Sequence, residues 1–304
     1  MLGIFAYNKE YFGGTEYMGR GFEKNIIQSL PKLKKYLCAM APGSTPSFES
    51  MYATKKPIIF WLHNTPNQFG KNEQKFLSDI RFINNLRYMI VPSESSKQEV
   101  ITQTPIPAEK VYIIPNAIDP LKYNPKKFDK PNNIKLINTS SPDRGLDVLL
   151  NAISIIDLNF ELDIFSKFNP MQYPNYIPDP RINFYGFSYK GTVLKHYEAA
   201  HIHAYPSTYP ETFCISQAEA MSAGLLCVTS DIGAIPEVSG GYTTIYQYTE
   251  DKETHTKIFA EKLKEAIEAV KSGQWNPEAQ IEYINNKFSW NAIRDKWLEF
   301  HELL

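Results

Sequence analysis

The chain has 304 residues, 43% of them hydrophobic and 21% charged, with a formal net charge of −1. Values so ordinary for a globular protein exclude disorder, collagen-like repeats and coiled coil as the main architecture, and the length fits two domains, one large α/β domain being the other option. The longest apolar runs, such as Ile58–Leu62, fall far short of the roughly 20 residues that cross a bilayer, while three cysteines without CxxC spacing argue against a disulfide framework or a cysteine metal site.

From the N-terminus, LGIFAY is the first expected strand. It lacks the basic region of a signal peptide and meets Lys9 and Glu10 early, so a cytoplasmic protein is expected. In YFGGTEYMGRGF, Gly13 and Gly14 leave the backbone bare ahead of a helix over Thr15–Leu30, which would let a phosphate or an acceptor approach. Strands are expected at KYLCAMA, PIIFWLH, RYMIVPS and VYIIPN, with a helix over Glu73–Asn85. His63 closes the strand PIIFWLH. Residues 118–133 hold three prolines and no hydrophobic period, which reads as a linker. A second series follows: strands at IKLINTS, ELDIFSK, INFYG, HIHAYPS and LCVTS, and helices at RGLDVLLNAISII, VLKHYEAA and CISQAEAMSAG. FSWNAIRDKWLEFHELL, at the end, reads as a terminal amphipathic helix lying on one of the domains.

This alternation of short β-rich runs with amphipathic helices is the pattern of parallel sheets built from βα units, so an α/β chain with two doubly wound domains is expected. The domain boundaries fall at 1–119 and 120–287, with 288–304 as the terminal helix, which could pack back on the N-terminal domain. Charge divides along the same line. Residues 1–119 hold 14 Lys+Arg against 10 Asp+Glu, and the remainder 18 against 23. A basic half suits an anionic lipid surface or an acidic acceptor. Its basic residues are too few for a nucleic-acid footprint, so no nucleic-acid partner is expected. GxGxxG is absent, which disfavours a dinucleotide oxidoreductase. His201 and His203 share a strand face without a third metal ligand at suitable spacing, so no metal site is expected.

The most informative stretch runs from Tyr205 to Glu237. A strand ends at Ser207, Glu211 lies in the loop, a helix is expected from about Thr212, and Glu219 follows Glu211 by eight positions. On a helix that spacing is roughly 12 Å, about the length of a nucleotide sugar from hexose to ribose. The amides of Thr212, Phe213 and Cys214 at the expected helix start would cradle a diphosphate between the two carboxylates. Taken alone, the pair is better explained by Glu211 answering the helix dipole and Glu219 being solvated.

The surroundings decide otherwise. The stretch resembles the E-x7-E signature of retaining glycosyltransferases of the GT-B fold, in particular glycosyltransferase family 4, and the likeness continues through AEAMSAG and SDIGAIPE. NTSSPDRGLDVLLNAI is similar to the family's strand, loop and helix where a basic residue grips the donor diphosphate, here Arg144. Thr139 stands where the family commonly has a second arginine, so Ser140, Ser141 or another group would complete the clamp. Gly186, Phe187 and Ser188 hold the positions that line the family's nucleobase pocket, and His63 the place of a histidine facing the reacting sugar.

The resemblance thus implies two Rossmann-like domains facing a central cleft, the N-terminal one shortened by at least one βα unit. It implies a retaining, metal-independent hexosyltransferase using a nucleoside diphosphate sugar, UDP favoured over GDP, as co-substrate and no cofactor. Glu211 and His63 would be catalytic. Arg144, Glu219, Thr212, Phe213, Cys214, Gly186, Phe187, Ser140, Gly13 and Gly14 would bind the donor. The acceptor would be a glycan, a lipid-linked glycan or another molecule, met at the inner face of a membrane if peripheral contact occurs. A non-catalytic nucleotide-sugar-binding protein and a GT-B epimerase or phosphorylase are the alternatives.

Overall fold

Ile58–Leu62 is buried at every position, as a strand must be when helices cover both faces of its sheet. In the computed structural model, which describes residues 14–41, 56–129, 131–173 and 176–304, this strand is β2 of a parallel sheet. β1 (Leu37–Ala41), β2, β3 (Leu86–Val91) and β4 (Val111–Ile113) lie in that order. The expected strand LGIFAY lies outside the described residues.

Period-2 alternation sorts the sheet's two faces. Ile58, Phe60 and Leu62 join one core with Phe76, Phe82 and Val100. These last three come from α2 (Lys71–Leu77), α3 (Ile80–Asn85) and α4 (Glu94–Gln103). α2 and α3 replace the single helix expected over Glu73–Asn85. The break falls at Asp79, whose carboxylate accepts from the Arg81 amide at 2.8 Å and starts a new helix. Trp61, on the other face, meets Trp297 at 5.0 Å between ring centroids, and Phe22 meets Trp297 at 4.7 Å. Phe22 belongs to α1 (Gly14–Asn25), which is shorter than expected, residues 27–29 and 31–35 continuing as 3₁₀ turns.

The chain therefore divides into two compact units, 1–118 with 287–304, and 119–286. The C-terminal helix covers the first unit's sheet, and the two crossings of the chain sit side by side there, the Ile118 amide donating to Phe288 O at 2.8 Å.

In the second unit β5 (Lys135–Asn138), β6 (Glu161–Ile164), β7 (Ile182–Phe184), β8 (Ile202–Tyr205), β9 (Leu226–Ser230) and β10 (Thr244–Tyr246) make a parallel sheet of order β10-β9-β8-β5-β6-β7. The order reverses between β5 and β8, the mark of a doubly wound sheet. α5 (Leu146–Ser154) and α9 (Lys252–Lys271) pack on its core. α9 and β10 were not among the expected elements. α9 is set by its Asp251 cap, which accepts from the Thr254 amide at 2.8 Å, and by a buried stripe including Phe259, Leu263, Ile267 and Val270.

The expected linker is a packed segment of this unit from Asp119 onward. Phe128 enters the core, and the Lys127 ammonium donates to the carbonyls of Glu198 at 3.2 Å and Ala223 at 3.0 Å. Burial pushes that lysine down to about 7. Prolines here mark a pinned path, Pro125 opening a 3₁₀ turn over Pro125–Phe128, rather than a free tether. Among the described residues no helix is long and apolar enough to cross a membrane.

Candidate functional site

The switch point between β5 and β8 places two loops together, 139–145 and 206–211, where doubly wound sheets take ligands. Asn138, at the end of β5, clips the strands by donating to Ala204 O at 2.8 Å, and its Oδ1 accepts from the Ser140 amide at 3.2 Å. The Ser140 hydroxyl is buried without a hydrogen-bond partner.

Two glycines let the loops close. Gly145 has φ +108°, and a Cβ there would lie 2.1 Å from Pro206 O. Gly233, at φ +67°, lets its strand end run within bridging distance of Glu211, whose carbonyl accepts from the Ala234 amide at 2.7 Å.

On this scaffold Arg144 Nη1 donates to Glu211 Oε1 at 2.7 Å, and the Tyr205 hydroxyl donates to the same oxygen at 2.6 Å. The Tyr209 ring lies 4.3 Å from the Arg144 guanidinium carbon. Burial works against the Arg144 charge, but Glu211 with Tyr205, Tyr209 and Cys214 outweighs it and keeps the group firmly cationic. Burial and the same Glu211 charge hold the Tyr205 phenol far above its ordinary range, so it remains a donor. Arg144 and Glu211 thus meet directly.

Glu219 makes a second centre. It is 2% exposed and accepts from the Lys190 ammonium at 2.5 Å. Burial raises its pKa, and Lys190 pulls the other way. Lys190 opens α6 (Lys190–Ala199). The Tyr197 hydroxyl lies 2.6 Å from Thr139 Oγ1, so the neutral side chain at position 139 is engaged in a part-buried hydrogen bond.

One expectation about the helix needs correction. α7 runs from Ile215 to Ser222, not from Thr212. Cys214 precedes it at φ +71°, the left-handed region, and turns the chain into the helix. The first-turn amides are accordingly those of Ile215, Ser216 and Gln217. Thr212, Phe213 and Cys214 form the approach, with Phe213 and Cys214 buried. The axial rise of an unbroken helix therefore does not set the Glu211–Glu219 separation.

Of the remaining residues named from sequence, Phe187 is 70% exposed and Gly186 borders a cavity of about 1170 Å³. Asp143, Phe168, Tyr173 and Tyr248 also line this cavity, while Arg144, Glu211 and Glu219 are not among its walls. His63 lies in the first unit, buried, with its ring 4.8 Å from Trp61, and burial pushes it down to about 3, which keeps it neutral. Gly14 is the first residue of α1, and Gly13 lies outside the described residues. His201 serves the backbone, accepting from the Lys135 amide at 2.9 Å, whereas His203 is enclosed in the core. Tyr205, Tyr209 and Lys190 were missed from sequence. Tyr205 could have been found from its place at the strand end directly ahead of the loop, but nothing local marks Lys190.

Two family models match the chain: glycosyl transferases group 1 over residues 135–269 and glycosyltransferase family 4 over residues 41–121. One of the subunits of the human phosphatidylinositol N-acetylglucosaminyltransferase is 26% identical over 69% of the chain and 44% of its own length. The MMP α-(1→4)-mannosyltransferase of Mycolicibacterium hassiacum is 24% identical over 70% of the chain and 53% of its own. The chain thus spans about half the length of these curated relatives. Among solved structures, Anabaena HepE in complex with UDP-glucose superposes with a TM-score of 0.67 at 18% identity, over 91% of this chain and 81% of that one. The sucrose-phosphate synthase of Thermosynechococcus elongatus gives 0.67 at 14% identity, over 91% and 75%.

Proposed function

We propose that this chain, which belongs to the family 4, group 1 type of glycosyltransferases with the GT-B fold, moves a hexose from a nucleoside diphosphate sugar to a glycan or lipid-linked acceptor with retention of configuration. The observation that carries the reading is the Arg144–Glu211–Tyr205 network at the switch point, with buried Glu219 and Lys190 beside it.

In the reaction the bond from the anomeric carbon to the diphosphate oxygen breaks, and its electron pair leaves with the diphosphate. The acceptor oxygen bonds the anomeric carbon on the same face, and its proton passes to the departing phosphate. Arg144 answers the negative charge that grows on the leaving group. Glu211 orients sugar hydroxyls, and Glu219 takes the ribose diol. Neutral His63 would serve as a hydrogen-bonding group toward the sugar rather than as an imidazolium acid, since burial keeps it neutral at neutral pH. The amides of Ile215, Ser216 and Gln217 add a positive helix end.

UDP is favoured as the base-bearing carrier because HepE was crystallised with UDP-glucose. A lipid-borne acceptor is supported by the name of the human relative and by the basic balance of residues 1–119. Metal independence is proposed because a DxD pattern is absent from the sequence and Arg144 can carry the charge.

Turnover of UDP-, GDP- and ADP-sugars, with and without EDTA, tests the reading. We expect one donor class to be consumed, with R144A lowering kcat/KM by at least about 100-fold, in line with losing a charge-stabilising donor. R144K should recover part of the loss, because a lysine keeps the charge without the fork. If no donor binds, or R144A and E219A bind it as the wild type does, the site is misassigned. An inverted product would overturn the retaining course alone.

A further inference from the structure

We infer that Lys190 is a movable charge of the donor site. When a nucleoside diphosphate binds, the ribose diol replaces the ammonium on Glu219, and the ammonium passes to the diphosphate. The inference rests on the donor-site reading above.

Charge balance leads to it. Arg144 with Glu211 and Lys190 with Glu219 are two ion pairs, each summing to zero. A diphosphate brings at least two negative charges into this balance, and Thr139 offers it none. A cation that changes partner, or is shared, would answer this added charge together with the helix end at Ile215.

Arg144 is the worse candidate to move. It is held by Glu211, lies over the Tyr209 ring, and its carbonyl takes the Thr208 amide at 3.4 Å. Lys190 has a flexible four-carbon stem, and its side chain is 42% exposed while that of Glu219 is 3% exposed. It also stands at the first residue of a ten-residue helix, where the positive helix end disfavours a cation. An arriving phosphate relieves that disfavour, which the present pairing with Glu219 only offsets. Glu219 cannot be left bare at such burial, since an unpartnered buried carboxylate is costly. The two hydroxyls of a ribose supply the donors that the ammonium withdraws.

The exchange makes opposite predictions for the two halves of the ligand. Calorimetric titration of uridine, inorganic pyrophosphate and UDP, with guanosine and GDP run alongside, would be done on wild type, K190A, K190M and E219Q. K190A and K190M should weaken pyrophosphate and UDP by about 10- to 100-fold, the worth of a hydrogen bond to a charged group, while uridine loses less than about threefold. E219Q should weaken uridine yet strengthen pyrophosphate, because it releases Lys190. T139R added to K190A should restore part of the diphosphate affinity, a rescue that a merely structural role for Lys190 would not give. Melting curves confirm that each variant is folded. The inference is overturned if K190A leaves pyrophosphate binding unchanged, or if uridine suffers as much as UDP, which would make Lys190 only a prop for Glu219. Wild-type protein that binds no nucleoside or diphosphate overturns the donor-site reading itself.

Discussion

At the residue scale, the site depends on atoms that are absent as much as on charges. Gly145 is the only residue type that can hold φ +108° with Pro206 O so near. G145A should destabilise the second unit by about 2–3 kcal/mol through backbone strain and collision. It should also lower kcat/KM with Arg144 displaced from Glu211, while chemical denaturation of the variant gives the stability term separately. Arg144 itself was a candidate because NTSSPDRGLDVLLNAI resembles the family's strand, loop and helix with a basic residue ahead of the helix. Its partner was likewise legible only as a candidate, since nothing in the chain says that positions 67 apart will meet. Lys190 escaped the reading because a lysine at a helix start reads as solvated surface until the fold brings a buried carboxylate to it.

At the element scale, the errors of the sequence reading share a cause. Helix starts and the supposed linker were judged from local signals, but tertiary contacts set their limits. Cys214 adopts a left-handed turn that residue type alone disfavours, and it moves the start of α7 by three residues. The proline-rich segment carries Phe128 into a core and Lys127 onto two carbonyls. The terminal helix α11 (Trp290–Glu302) shows the opposite case, since its amphipathic pattern announced a helix but offered the N-terminal domain only as one possible partner. That partner is the first unit's sheet, through Trp297 against Trp61 and Phe300 against Tyr88 at 5.2 Å. W297A should therefore lower the stability of the first unit by about 3–5 kcal/mol, the usual loss for a fully buried aromatic. Calorimetry that finds the second unit's transition shifted instead would contradict this packing.

At the scale of the whole molecule, two buried histidines link stability to acid. His63 in the first unit and His203 in the second are each pushed down to about 3 by burial. Both are neutral in the fold, whereas an unfolded histidine titrates near 6.5. Between about pH 6.5 and 3 the unfolded state therefore binds more protons, and stability falls as pH falls, by about 1.4 kcal/mol per pH unit for each histidine. Above pH 6.5 these groups contribute no slope. Urea midpoints measured from pH 7 to 4 should fall steadily, and H203F should flatten the fall; an unchanged slope would show that His203 is not the group responsible.

The sequence by itself determined the βα alternation and the two-domain division, while the glutamate pair stood out only through the likeness of its flanking motifs to a family. The first two follow from short-range periodicity and from residue types that favour strand ends and helix starts. Tertiary structure alone decided that Tyr205 and Arg144 share one oxygen of Glu211, that Lys190 covers Glu219 from 29 positions away, and that the last helix completes the first sheet. Each of these depends on which strands become neighbours, and that choice is made by burial of the whole apolar surface rather than by any local run of residues.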